Sequence, residues 1–169
     1  MKVIELKQCF PHAKRLFAAI LSAVVCGAVW GEQPVENLDA FPQTTAQIHS
    51  GGATQRFTIW IADTPARSEQ GLMFVHALAH DKGMLFPRNN PGPMAMWMKN
   101  TLIPLDMLFL DSHGQIIYIK RNAKPESEEI IRMPAPIMTP VAAVLELAGG
   151  ECEHRHIEQG DTITVQPAQ

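Results

Sequence analysis

Beyond residue 44 the chain alternates apolar and polar positions with a period of two, the signature of strands that bury one face. Phe57, Ile59 and Ile61 alternate with Thr58 and Trp60, and Gly51-Gly52 separates this run from Thr45 to His49, predicting a hairpin with the apolar set inward. Asp63-Thr64-Pro65 then starts a short helix, with Asp63 or Thr64 as N-cap, Pro65 early in the first turn and Gly71 as its end. Gly83 to Phe86 is a buried strand, and Pro87 to Pro93 a loop dense in turn formers. Leu105 to Leu110 is apolar on both faces, which places it centrally in its sheet, and Asp111 to Gly114 turns the chain into Gln115 to Lys120. Asn122 to Pro140 has no period and reads as a long loop, able to cover a pocket mouth. Ala142 to Leu147 is a further strand, Glu151 to His156 a helical turn, and Gly160-Asp161 introduces a last strand ending at Val165. Seven strands without a βαβ rhythm predict a mainly β fold, a small sandwich or barrel-like domain with one or two short helices.

The densest chemistry lies in Pro93 to Asp106. As a strand, it would set Met94, Met96, Met98 and Asn100 on one face and Ala95, Trp97 and Lys99 on the other. A four-residue loop, Thr101 to Pro104, would fold it back on Leu105 to Leu110. That hairpin pairs Lys99 with Asp106, Met98 with Met107, Met96 with Phe109 and Trp97 with Leu108. Two readings follow. One is a core hairpin with an ion pair; the other is a pocket in which Trp97 stacks and Lys99, Asn100, Thr101 and Asp106 orient a ligand. Glu146 interrupts an otherwise apolar strand, so it is either an outward-facing or paired residue or a further pocket acid.

Composition narrows the setting. Lys14-Arg15 precede an apolar run from Leu16 to Val29, too short to span a bilayer, so residues 1–31 read as a secretory signal cut before Glu32 and residues 32–44 as a linker. A lipid anchor at Cys26 fits less well, because Val25 stands where a small residue belongs. The single domain expected is 45–166, periplasmic or secreted, with membrane contact only through the N-terminal signal segment. After the signal, 10 basic residues face 16 acidic ones, a net charge of −6 that argues against nucleic-acid binding. Cys152 alone remains of three cysteines, leaving no intrachain disulfide, and it reads as a small buried apolar residue. His76 and His80 stand four apart, but with no third ligand nearby they carry no metal assignment.

The segment Trp97-Met98-Lys99-Asn100-Thr101-Leu102-Ile103-Pro104-Leu105-Asp106 resembles the hallmark of domain-of-unknown-function family 192. Ala62-Asp63-Thr64-Pro65, Gly71-Leu72-Met73-Phe74, Gly83-Met84-Leu85-Phe86, Phe109-Leu110-Asp111, Val144-Leu145-Glu146-Leu147 and Gly160-Asp161 extend the likeness over Ala46 to Val165. The resemblance implies a compact, mainly β domain of unestablished function and brings no catalytic residue. Where the family commonly has an aliphatic and an aromatic residue before the Trp, this chain has Met94 and Met96.

The leading expectation is therefore an exported, non-enzymatic domain that binds a small ligand, a saccharide being the class that an indole flanked by hydrogen-bonding groups suits. It needs no cofactor. Its site would comprise Trp97, Lys99, Asn100, Thr101, Asp106 and Glu146. Two alternatives are an envelope enzyme using Asp106 or Glu146 as base beside Lys99, and a Cu(I) carrier using the thioethers of Met94, Met96 and Met98. The sequence does not set an oligomeric state.

Overall fold

Gly51 and Gly52, with φ of 56° and 82°, make the tight turn between β1 (Gln43–Ser50) and β2 (Ala53–Ile61). Ser50 pairs with Ala53, and the register runs back to Gln43 opposite Trp60. The computed structural model describes residues 38–167. Residues 1–31, expected to be a signal, and residues 32–37, expected to be linker, lie outside the described residues. Within the span expected to be linker, Leu38–Ala40 form a 3-10 turn and Phe41 is buried in the core, so the fold begins before residue 45.

Thr64 caps α1 (Pro65–Gln70) by accepting the Arg67 N–H at 3.2 Å, Pro65 sits where no donor is required, and Gly71 closes the helix with its N–H on the Arg67 carbonyl. The remaining elements are β3 (Lys82–Gly92), β4 (Ala95–Met96), β5 (Leu105–Leu110), β6 (Ile116–Ala123), β7 (Ile131–Arg132), β8 (Val141–Ala148), α2 (Glu151–His154) and β9 (Thr162–Val165). Seven strands form one sheet in the order β6-β5-β8-β3-β2-β1-β9, and β4 and β7 form a separate pair. β2 and β3 run parallel, with Thr58 opposite Lys82 and α1 in the crossover. This crossover escapes a periodicity reading because its helix has only six residues.

The sheet curls until its two edges meet at a bridge between Gln115 and Thr162, without closing into a barrel. Gly114 makes that seam possible. Its φ is 78°, its carbonyl accepts the Ile163 N–H at 2.8 Å, and a Cβ there would lie 2.3 Å from the Ile163 carbonyl oxygen. Because of the curl, Ile48, Phe57, Ile59, Leu85, Leu108, Leu145 and Ile163 gather from both halves into one core. The opposite face carries a second core of Met84, Phe86, Met107, Phe109 and Val144, covered by Phe41, Leu72 and Met98 from the connecting segments. Among the described residues no helix is long and apolar enough to cross a membrane.

All six residues of β5 are buried and both its edges are paired, with β6 and with β8, as its two apolar faces require. That pairing removes the expected hairpin. With no edge left for residues 94–100, β4 pairs with β7 instead, drawing part of the Asn122 to Pro140 loop into regular structure. Lys99 accordingly does not face Asp106, and the expected cross-strand partners of Met96, Trp97 and Met98 are replaced. Asp106 is fully buried between β5, β6 and α2. Its carboxylate accepts the Asn122 N–H at 2.7 Å and the Cys152 N–H at 2.9 Å. Two backbone donors without another outlet depend on it. Asp106→Ala is expected to cost about 2–4 kcal/mol in urea unfolding, with Asp106→Asn, which keeps one acceptor, losing less; equal stability of Asp106→Ala and the parent chain would contradict this role.

Candidate functional site

Residues 97 to 99 form no strand, yet the side chains still divide as the sequence implies. Met98 is fully buried in the second core, Trp97 remains 43% exposed, and Lys99 is exposed with its Nζ 5.2 Å from the Trp97 ring centroid. The division is made by a turn, fixed by Asn100 at φ 55° and by the Met98 N–H on the Ser127 carbonyl.

Trp97 and Lys99 stand over a cavity of about 290 Å³, walled by the end of α1 and the following Gly71 to Met73, by Phe86 to Arg88 of β3, and by Met94 to Met96. Thr101 and Glu146 complete its lining. Of the residues expected at a site, Trp97, Lys99, Thr101 and Glu146 are thus brought together; Asn100 and Asp106 are not. Asn100 serves the turn: its carbonyl accepts the Phe74 N–H at 2.8 Å and its Nδ2 lies 3.8 Å from the Met73 sulfur. Asp106 belongs to the opposite face, with Leu108, and its oxygens are committed to backbone donors. Met94 and Met96 line the cavity and pack against the same core in which Met98 is sealed. The Asn122 to Pro140 loop stays off this cavity; its Met133, Ile137 and Met138 line an adjoining one of about 240 Å³.

Glu146 is the unusual member. It lies on β8, the strand between β3 and β5, with Met84 and Met107 as its neighbours across the sheet. Only 4% of it is exposed, and among the described residues no hydrogen bond or ion pair meets its carboxyl. Burial in these apolar surroundings raises its pKa to about 8, so at neutral pH the group is mostly a protonated acid, both donor and acceptor. Thr101 is buried beside it in the lining, with its hydroxyl 3.4 Å from the Lys99 carbonyl.

The histidines take no part. The segment carrying His76 and His80 is not helical, so they share no helix face; His80 Nδ1 lies 2.5 Å from Glu151, and neither histidine lines the cavity. Among the described residues no three His, Cys, Asp or Glu side chains gather as metal ligands. Cys152 is buried, and that burial pushes its thiol pKa up, away from nucleophilic use. Sequence reasoning missed Glu69, Phe86 and Arg88, which reach the cavity through the parallel crossover and the extension of β3 rather than through any local pattern.

The sequence profile of DUF192, described as an uncharacterized ACR, matches residues 46–165, a span that contains every residue of this cavity. The chain belongs to this family. DUF192 therefore contributes the fold and no activity. A crystal structure from Sinorhizobium meliloti, of a protein provisionally described as a transcription regulator, is similar at 40% identity with a TM-score of 0.70, covering 74% of this chain and 95% of that one. A protein of unknown function from Novosphingobium aromaticivorans is similar at 32% identity with a TM-score of 0.67, covering 72% of this chain and 84% of that one. No curated protein matches.

Glu146 ties stability to pH. A carboxyl held protonated to about pH 8 in the fold, but ionising near its ordinary value of 4.5 when unfolded, makes the folded state the better proton binder between those values. Stability therefore falls as pH rises through that window. Glu146→Gln, which cannot ionise, is expected to match the parent chain near pH 4 and to exceed it by up to about 5 kcal/mol above pH 8 in denaturant titrations; parallel pH profiles for the two would contradict the buried, unpartnered carboxyl.

Proposed function

We propose that this chain is an exported binding domain, periplasmic or secreted, that holds a small polar molecule in the Glu146 cavity without transforming it. The observation that carries this reading is a buried carboxyl with no protein partner among the described residues, opening onto a cavity whose rim bears a half-exposed indole. An unsatisfied buried polar group is costly, and a ligand group that enters and bonds to it offsets that cost. Trp97 offers a flat apolar face to a sugar ring or another compact ligand, and Thr101 and Lys99 add hydrogen-bonding groups beside it.

Support for a base at Asp106 is lacking, because both of its oxygens are engaged by backbone donors. An enzymatic reading would have to rest on Glu146 alone, and a proton acceptor needs a reacting group within hydrogen-bond reach. The regulatory description of the Sinorhizobium protein is not carried over: residues 32–169 are acidic, and binding to nucleic acid depends on basic surface.

Screening saccharides, amino sugars and small amines by thermal shift and calorimetry should find ligands that stabilise the parent chain and bind Trp97→Ala at least tenfold more weakly. Because Trp97 is half exposed, the unliganded variant should melt within about 3 °C of the parent chain. If every ligand binds both proteins alike, the cavity is not the site. Mass spectrometry of the ligand after incubation should recover it unchanged, and product formation would replace binding by catalysis.

A further inference from the structure

We infer that the cavity selects an organic ammonium ion, its positive charge set against the Glu146 carboxyl and its hydrocarbon against Trp97, Phe86 and the thioethers of Met94 and Met96. This inference rests on the ligand-binding reading and names the ligand's chemical class. Glu146 is the least exposed polar residue of the lining, and its neighbours across the sheet, Met84 and Met107, carry no charge. A neutral ligand could share a hydrogen bond with the protonated acid, but the walls favour a cation. Aromatic faces and polarisable sulfur attract positive charge, more strongly where water is excluded.

The chain itself displays the affinity of this indole for a cation. Lys99 Nζ stands 5.2 Å from the Trp97 ring centroid, at the mouth of the same cavity. A ligand ammonium repeats that contact from within, where Glu146 answers its charge. The other charged groups of the lining are Glu69 on α1, Arg88 on β3 and Lys99. Arg88 is directed along its own strand end, with Nε 3.2 Å from the Asn90 carbonyl and one terminal nitrogen 3.1 Å from that of Pro93. Glu69, exposed on the helix, adds a second carboxylate that draws cations toward the opening.

Binding of such a ligand is coupled to a proton. Below about pH 8 the cation must displace the proton that Glu146 holds, so complex formation releases one proton to solvent and the affinity rises with pH until the acid is ionised beforehand.

The test uses choline, whose charge does not titrate, against its uncharged isostere in which carbon replaces the nitrogen, by calorimetry on the full chain at pH 7 and pH 9. Choline is expected to bind at least tenfold more tightly than the isostere at pH 9, and roughly tenfold more tightly at pH 9 than at pH 7. Close to one proton should be released per complex at pH 7, read from the dependence of the heat on the buffer. Glu146→Gln should remove the preference for charge, the pH dependence and the proton release together, while its circular dichroism stays that of the parent chain. Equal binding of choline and the isostere, or choline binding that survives Glu146→Gln, would overturn the inference. If neutral sugars bind in a Trp97-dependent way and choline does not, the charge preference falls while the binding reading stands; if no probe binds, both fall.

Discussion

Two adjacent interior strands, β5 and β8, are covered on both faces, and a strand so placed has no room for a polar side chain that lacks a partner. Each nevertheless carries one acid, and the two meet the constraint in opposite ways. Asp106 looks into the curled interior and is satisfied there by the N–H groups of Asn122 and Cys152, tying the end of β6 and the start of α2 to β5. Glu146 looks to the other face, where no partner among the described residues meets it and a cavity lies instead. One carboxyl holds the fold together; the other weakens it where it stands.

The architecture around that second acid follows from the same constraint. With both edges of β5 taken, the chain from Met94 to Thr101 cannot join the sheet, and it crosses the outer core as a short pairing with β7 and a turn. That crossing anchors Met98 and leaves Trp97 and Lys99 outside, while α1 and the extension of β3 close the remaining sides. The cavity thus exists where a segment excluded from the sheet roofs an acid the sheet cannot satisfy.

Local patterns disclosed what local forces decide. The β1 and β2 hairpin, the Thr64 cap, the Gly71 stop and the burial of Leu105 to Leu110 could all be read from alternation, turn glycines and capping chemistry. The pairing of residues 94–100 could not, because it depends on which strand competes for the edge of β5, and the winner, β8, lies more than thirty residues further along. The site was half legible for the same reason. Trp97, Lys99 and Thr101 neighbour one another in sequence and Glu146 stood out as an acid in an apolar run, but Asp106 looked like their companion only because the hairpin was assumed. Glu69, Phe86 and Arg88 arrive from distant elements and leave no signal of their own.

The seam at Gly114 reaches further than the curvature of the sheet. An open sheet ends in two rows of unpaired amides and carbonyls, an invitation to self-association through strand addition. Here the outermost strands, β6 and β9, are bent toward each other, and the backbone around Gln115 and Thr162 spends those groups within the molecule. Farther along β6, Lys120 and Arg121 set positive charge on the stretch the seam does not reach. The domain, whose described residues contain no disulfide, is thereby guarded against polymerising edge to edge.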